Sequence, residues 1–314
     1  MLGVNLWGLM PLCREDLPGV LNRLKDMGAE AVEGLLVPKK KDRFAAGAVS
    51  TAESFGAFYA AARAAGLPVP SVHVFYRVGK RNIPLPVVIS ALRTLSREYG
   101  VESFAFSGAF TDAAGARKWA RYMNTLARAL EGEACSVVYH NHDQELHTVL
   151  VRGEEKLALD YFLELTREDV LLQLDIGWAG MGTDEVALAQ KHAGRIHSIH
   201  LKDFRPGSRG NYHNPQVPKD RFCPIGEGEI RTGEVLALRH TFPRFRGLVI
   251  IDQDFSAGDI LEDIRRGCRN TAEYMKNIEP CFAHPVLLAE PEGNRIEVHQ
   301  YGETAMQKVG KYLD

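Results

Sequence analysis

Residues 170–204 constrain the fold most, because two apolar runs there flank a segment with helical periodicity. The runs 170–175 and 195–200 have the composition of strands buried on both faces, which occur in parallel sheets connected by helices. Each run ends in a residue that can bind a metal ion, Asp175 in the first and His200 in the second. We therefore expect two parallel strands to bring potential ligands to one edge of a sheet.

The remaining sequence continues this alternation of strands and helices. The predicted strands are 4–7, 31–37, 70–75, 101–107, 135–140, 170–175, 195–200 and 247–252. The predicted helices are 15–27, 51–65, 84–99, 112–131 with Asp112 or Thr111 as cap, 154–165, 184–192, 232–240 and a last helix capped by Ser256 that runs to about 277. Strict alternation favours an α/β fold of the (β/α)8 TIM barrel type. An open doubly wound sheet is the alternative, but no GxGxxG turn follows the first strand.

The chain length suits one barrel followed by a short C-terminal extension. A barrel over residues 1–280 accounts for most of the 314 residues. Residues 281–314 are surplus to eight repeats, and PVLLAEPEGNRIEVHQYG has two apolar runs around a PEGN turn. This extension is predicted to be a hairpin or an oligomerisation arm, so a homo-oligomer is one expectation.

Composition excludes several other classes of protein. The formal net charge is −2 and no long basic run occurs, which argues against a nucleic-acid partner. No apolar stretch approaches ~18 residues and the N-terminus lacks signal-peptide features, so neither membrane insertion nor export is expected. The cysteines are odd in number and contain no CxxC pair, as expected for reduced thiols in a cytoplasmic protein. They are Cys13, Cys135, Cys223, Cys268 and Cys281.

Four successive predicted strands each end in a residue of a metal-binding type. These residues are His140, Asp175, His200 and Asp252. Because side chains alternate along a strand, an equivalent register would place all four on one face at the barrel mouth. Imidazole and carboxylate ligands suit one divalent ion, and the mixture does not distinguish Mn²⁺, Co²⁺, Zn²⁺ and Mg²⁺.

The strings YHNHDQEL, LDIGW, RIHSIHLKDF, IGEGEI and IDQD, in this order, resemble the sugar phosphate isomerase/epimerase family of xylose isomerase-like TIM barrels. The resemblance covers residues 2–276. The superfamily also contains tagatose epimerases, inosose dehydratases and an abasic-site endonuclease. It implies a divalent metal at the ends of strands five to eight, with Asp175 and His200 as matching ligands. Many relatives have glutamate where this chain has His140 and Asp252, so the metal could instead use Asp254 or a bridging water, be weakly held or be absent.

Such a site implies proton abstraction next to a carbonyl group. A divalent ion that binds a hydroxy-ketone acidifies the adjacent C–H bond, and a base removes the proton. Its return gives epimerisation or isomerisation, whereas loss of a β-hydroxyl gives dehydration. The candidate bases are Glu145, His142 and Asp252, and Lys202 could stabilise an enediolate or act as an acid. Asp203 is expected to pair with Lys202 or Arg205.

Other residues are candidates for contact with a sugar or polyol substrate. Trp178 could form the floor of a sugar pocket, although a large aromatic residue commonly serves in packing. Glu33 and His73 could contact hydroxyl groups, or they could be exposed loop residues. Arg205 lies in a basic loop, 204–228, that could bind a phosphate or act as a solvated lid. The IGEGEI turn is assigned a positioning role.

Two classes of function besides an isomerase or epimerase fit these residues. An inosose-type dehydratase could use the same site, and a degenerate barrel could bind a carbohydrate without turnover. A DNA-repair nuclease would need more metal-binding histidines and a basic groove.

Overall fold

Eight parallel strands form a closed barrel in the computed structural model, which describes residues 1–37, 49–75, 83–210, 217–277, 286–289 and 295–298. The strands are β1 (Leu2–Asn5), β2 (Ala31–Val37), β3 (Ser71–Val74), β4 (Ser103–Phe106), β5 (Ser136–His140), β6 (Val170–Asp175), β7 (Ile196–Leu201) and β8 (Leu248–Ile251). Each strand pairs with the next, and β8 pairs with β1 to close the barrel. The predicted TIM barrel is confirmed, and the open sheet is excluded.

Helices connect the successive strands along the chain. They are α1 (Met10–Asp26), α2 (Phe55–Ala64), α3 (Leu85–Tyr99), α4 (Ala113–Ala129), α5 (Ala158–Leu165), α6 (Ile176–Gly182), α7 (Glu185–Lys191), α8 (Thr232–Leu238) and α9 (Ile260–Asn277). Two of them, α6 and α7, lie between β6 and β7. The main core contains buried aromatic residues such as Phe104, Tyr139 and Phe162. A separate small cluster consists of Ala105, Val138 and Leu171.

The predicted helix over 154–165 is wrong in its first part. Glu154–Leu157 instead pairs with Thr148–Val151 in an antiparallel hairpin. The turn between them places Arg152 at φ 53° and Gly153 at φ 88°, as a two-residue hairpin turn with two positive φ angles requires. The acidic residues that resembled a first helical turn therefore lie in a strand.

Two further local predictions differ from the structure. The helix α6 is absent from the predicted helices and begins directly after Asp175. Asp175 caps this helix, because its side chain accepts a hydrogen bond from Trp178 N. Ser256 is not the cap of α9, since Asp259 Oδ1 accepts from Leu261 N and the Ser256 hydroxyl donates to Asp263. The predicted cap Asp112 is confirmed by its bond from Gly115 N.

Several short strands lie outside the barrel proper. Val49–Thr51 extends the sheet beside β2, and Asp203–Phe204 pairs with Phe222–Cys223 within the basic loop. Val286–Ala289 pairs with Arg295–Val298, while the rest of the C-terminal extension lies outside the described residues. None of the described helices is long and apolar enough to cross a membrane. The four cysteines that the structure describes are free thiols, and Cys281 lies outside the described ranges.

Candidate metal centre

Four side chains at the carboxyl ends of the last barrel strands converge on one small volume. Each of His140, Asp175, His200 and Asp252 offers a ligand atom, and these atoms all lie within 4.8 Å of one another. All four residues are buried. The residues do not occupy equivalent positions along their strands, contrary to the register expected from sequence. His200 is the register partner of Asp175, whereas His140 is the register partner of Gln173. The side chains nevertheless meet, because barrel strands are tilted and staggered.

The unsatisfied atoms of this cluster fit a cation. Asp175 Oδ1 accepts the Trp178 N–H at 2.8 Å, but Oδ2 is buried and has no hydrogen-bond partner among the described residues. Oδ2 lies 3.8 Å from His140 Nε2. His200 Nδ1 lies 3.2 Å from Asp252 Oδ2. Since buried carboxylate oxygens are normally paired, the open position of Asp175 Oδ2 is one that a divalent ion would satisfy.

Lys202 is a buried cation beside the four side chains. Its Nζ donates to Asp252 Oδ2 at 2.9 Å and to Asp254 Oδ2 at 2.8 Å, and it lies 3.9 Å from Asp175 Oδ2. Burial opposes the charge, but Asp252 and Asp254 outweigh it and raise the pKa of Lys202. The ammonium group therefore remains charged and neutralises part of the cluster.

The ionisation of the cluster follows from these neighbours. Burial alone would raise the pKa of Asp252, but Lys202 and His200 hold it well below its ordinary value. Asp175 is farther from Lys202, and burial raises its pKa to about 7. Burial would lower the pKa of His200, but Glu33 and Asp252 raise it to about 10. Burial also holds the pKa of His140 well below 6.5, which keeps this ring neutral.

The expected pairing of Asp203 with Lys202 or Arg205 is wrong. Its carboxylate accepts backbone N–H groups from Phe204 and from three residues of the IGEGEI turn: Gly226, Gly228 and Ile230. A Cβ atom at Gly228 would collide with Asp203 Oδ1 and Phe204 O. Asp203 therefore fixes the conformation of the IGEGEI turn through hydrogen bonds to the backbone of the turn.

Glu33 and His73 are inside the barrel, so their interpretation as exposed loop residues is wrong. Glu33 is 1% exposed, and its Oε2 lies 2.9 Å from His200 Nε2. Burial would raise the pKa of Glu33, but His200 and other neighbours lower it to about 2. The ring of His73 is 5.0 Å from that of His140, and its Nε2 is 2.9 Å from Ser107 Oγ.

Comparison with known proteins identifies the family. Residues 21–274 match the family described as xylose isomerase-like TIM barrel. The chain belongs to this family. No curated protein matches the chain.

Solved structures of this barrel type are similar along most of the chain. A sugar phosphate isomerase/epimerase from Parabacteroides distasonis ATCC 8503 has 18% identity and a TM-score of 0.67, covering 88% of this chain and 94% of its own. A xylose isomerase-like TIM barrel protein from Mycobacterium smegmatis in complex with magnesium has 11% identity and a TM-score of 0.64, with coverage of 88% and 97%. An IOLI protein with a bound zinc atom has 12% identity and a TM-score of 0.61, with coverage of 88% and 99%. At these identities, the similarity shows a shared fold.

The two candidate bases on the loop after β5 have different surroundings. The Glu145 carboxylate accepts from Tyr139 Oη at 2.5 Å and from His142 N at 2.9 Å. Tyr139 packs against Trp119 of α4 and Phe162 of α5, so Glu145 is tied to the helix side of β5. His142 is half-buried, its ring centroid is 5.0 Å from that of His140, and its Nδ1 has no hydrogen-bond partner among the described residues. His142 is thus the candidate base that adjoins the cluster.

The aromatic residues near the cluster differ in exposure. Trp178 is only 3% exposed and packs on Phe204, with Lys202 Nζ 5.4 Å from its ring centroid. Trp7 is 39% exposed and contacts Phe75 with ring centroids 5.0 Å apart. Sequence reasoning missed Trp7, although it follows the end of β1 as other site candidates follow their strands. Trp7 offers an aromatic surface that Trp178 largely lacks.

The cations of the basic loop bind mainly to the protein itself. Arg205 is exposed, and its Nε donates to Asp220 O at 3.0 Å. Arg209 forms a two-point ion pair with the buried carboxylate of Glu185, and Arg221 donates to Ser208 Oγ. Among the described residues, which omit 211–216, Arg205 forms no hydrogen bond or ion pair with the four-residue cluster. These bonds engage the arginine side chains within the protein, so they do not form a preformed phosphate site.

Proposed function

We propose that this protein is a metal-dependent sugar or polyol isomerase or epimerase that removes a proton next to a carbonyl group. The convergence of His140, Asp175, His200 and Asp252 within 4.8 Å carries this proposal. The fold shared with a sugar phosphate isomerase/epimerase, and with barrels that bind magnesium or zinc, supports it. The small-molecule substrate would bind at the carboxyl ends of the strands, where TIM barrels place their chemistry.

These four residues would hold one divalent ion, with Mn²⁺, Co²⁺, Zn²⁺ and Mg²⁺ as candidates. When bound, such an ion supplies Lewis-acid polarisation of a carbonyl oxygen. Trp178 N and Asn141 fix the orientation of Asp175: Asn141 Oδ1 accepts from Asp175 N, and Asn141 Nδ2 donates to Asp175 O. The carboxylate is therefore held in place before any ligand binds.

We assign proton abstraction to His142 and stabilisation of the resulting oxyanion to Lys202. Burial lowers the pKa of His142, so the ring is neutral, and its Nδ1 has no hydrogen-bond partner among the described residues. Lys202 remains charged between Asp252 and Asp254, and a preorganised ammonium group stabilises developing negative charge. Glu145 has its carboxylate committed to Tyr139 and His142 N, so we give it a positioning role.

The substrate assignment follows from exposure and from the positions of the charges. We infer that Trp7 and Phe75 provide an apolar wall for a sugar ring, and that His73 with Ser107 contacts a hydroxyl group. The internal bonds of Arg205 and Arg209 favour an unphosphorylated sugar or polyol.

Metal analysis followed by proton exchange tests the proposal. The purified protein should contain about one divalent ion per chain, and in heavy water it should introduce deuterium beside the carbonyl of at least one ketose. Removal of the ion by a chelator should abolish this exchange, and its return should restore it. Deuterium uptake with loss of water from an inosose would instead identify a dehydratase. Exchange that persists in the metal-free protein would overturn the metal-dependent mechanism.

The position of Lys202 favours a second candidate, a carbohydrate-binding barrel without turnover. Its ammonium group lies 2.9 Å from Asp252 Oδ2, where it competes with a metal ion for that carboxylate. Such a protein would bind a ketose or inosose in calorimetry, retain no divalent ion after dialysis, and incorporate no deuterium.

A further inference from the structure

Glu33 lies beside the proposed metal centre, and the protein itself occupies both of its oxygens. Oε1 accepts from Ser71 Oγ at 2.6 Å and from Gln173 Nε2 at 2.8 Å. Oε2 accepts from Asn5 Nδ2 at 2.6 Å and lies 2.9 Å from His200 Nε2. Gln173 is on β6, so its bond to Glu33 on β2 crosses the barrel lumen. This full set of partners leaves Glu33 poorly placed to receive a substrate hydroxyl.

The contact with Glu33 determines which nitrogen of His140 carries a proton. An ionised carboxylate can only accept hydrogen bonds, so the amide nitrogen of Gln173 must face it. The Gln173 oxygen then faces His140 Nδ1 at 3.1 Å, and Nδ1 must be the donor. The lone pair of this neutral ring consequently lies on Nε2, the nitrogen that is 3.8 Å from Asp175 Oδ2.

Glu33 has a more direct relation to His200. A carboxylate 2.9 Å from Nε2 favours a proton on that nitrogen, although no well-aligned hydrogen bond joins the two groups. The other nitrogen, Nδ1, lies 3.2 Å from Asp252 Oδ2. Both imidazoles thus have one nitrogen directed towards the Glu33 network and the other towards a carboxylate of the proposed centre.

We propose that Glu33 is a positioning residue that sets the tautomer of His140 through Gln173 and holds a proton on Nε2 of His200 directly. The inference rests on the proposed metal site and assigns Glu33 to the protein network instead of the substrate. Outer carboxylates that orient metal-binding histidines commonly change metal affinity about 10–100-fold when they are mutated. Here one carboxylate serves two histidines on different strands.

The tautomer of His140 can be measured without any metal. Long-range proton–nitrogen NMR of ¹⁵N-histidine-labelled, metal-free protein should show His140 with its proton on Nδ1. Gln173→Leu removes the oxygen that accepts from His140 Nδ1, so it should move His140 towards the Nε2–H form. Glu33→Gln should have the same effect, because the Gln173 amide is then no longer held in one orientation. Ser71→Ala is the matched control, because it removes one bond to Glu33 and leaves the carboxylate, so the His140 signals should keep the parental pattern.

Metal affinity provides the second measurement, with Co²⁺ alone as the probe in spectroscopic titration. Glu33→Gln should weaken Co²⁺ binding about 10–100-fold, and Ser71→Ala should weaken it much less. A parental His140 spectrum together with parental Co²⁺ affinity in folded Glu33→Gln would overturn the inference and leave the proposed function intact. If the parent itself binds no divalent ion, the proposed function fails, while the NMR comparison still decides the role of Glu33. Should Glu33→Gln fail to fold, the His140 tautomer in Gln173→Leu carries the test, and an unchanged tautomer there overturns it.

Discussion

Lys202 is the positive charge on which the buried carboxylates at the barrel mouth depend. Replacing it by methionine leaves Asp252 and Asp254 without their shared partner. Removal of one partner from a buried ion pair costs about 3–5 kcal/mol. We therefore expect Lys202→Met to lower the free energy of unfolding of the metal-free protein by about 3–5 kcal/mol. Because a divalent ion would supply positive charge, Zn²⁺ or Mn²⁺ should stabilise the variant more than the parent. Urea unfolding with and without metal measures both effects, and an equal metal response in the two proteins would contradict this expectation.

His142 offers a prediction that separates catalysis from structure. Its Nδ1 makes no hydrogen bond to any described residue, so His142→Asn should leave the melting temperature and the Co²⁺ affinity near their parental values. Loss of a general base reduces turnover about 10²–10⁴-fold, and deuterium incorporation into the substrate should fall by that factor. His240→Asn, at an exposed position, is the control and should exchange at the parental rate. Full exchange activity in His142→Asn would remove His142 from the mechanism.

Glu145 predicts a pH dependence of stability. Burial raises its pKa to about 7 in the folded protein, from 4.5. Between pH 4.5 and about 7, Glu145 is protonated in the folded protein but ionised in the unfolded chain. This group therefore makes the free energy of unfolding fall as the pH rises through that range. The loss relative to Glu145→Gln should reach about 3 kcal/mol above pH 7. Urea unfolding of both proteins at several pH values measures it, and a constant difference would show that Glu145 ionises normally.

The sequence indicated which four side chains converge better than it indicated their hydrogen-bond partners. His140, Asp175, His200 and Asp252 were identifiable because each closes an apolar run. The pairing of Lys202 with Asp254 and the bond from Gln173 to Glu33 were not predicted. Those contacts depend on strand stagger and on which side chains share the lumen, and neither property is local in sequence.

At the scale of the element, Gly177 controls how α6 packs against the end of β7. A Cβ atom at this position would lie 2.6 Å from Lys202 O and closer still to Lys202 Cβ. Gly177→Ala should therefore displace α6, which begins beside Asp175, and should reduce both the free energy of unfolding and Co²⁺ affinity. Overpacking of this kind costs about 1–3 kcal/mol. Chemical unfolding and metal titration test the change.

Gly194→Ala is the matched control for the α6 prediction. A Cβ atom at Gly194 would meet nothing within 4 Å, so this substitution should leave stability and Co²⁺ affinity close to those of the parent. Equal behaviour of the two alanine variants would mean that α6 adjusts without disturbing Asp175.

Element prediction succeeded where one periodicity dominated and failed at short, capped or paired segments. The strands Ala31–Val37 and Val170–Asp175 have the predicted bounds because both are predominantly apolar runs. The hairpin before α5 was missed because a glutamate-rich strand resembles the first turn of a helix, and only the pairing with Thr148–Val151 identifies it. α6 spans seven residues, too few for helical periodicity to be apparent.

At the scale of the whole molecule, the C-terminal extension is the part that the barrel does not explain. Its two described strands, Val286–Ala289 and Arg295–Val298, pair with each other in a sheet of two strands. An isolated two-stranded hairpin is at best marginally stable in water, so this one requires a further surface. We predict that the surface belongs to a second copy of the chain. Removal of residues 281–314 should then lower the mass measured by sedimentation equilibrium to that of a monomer. If the truncated and full-length chains both sediment as monomers and only the melting temperature falls, the hairpin packs on its own barrel instead. Unchanged sedimentation as an oligomer would place the contact between copies elsewhere on the barrel.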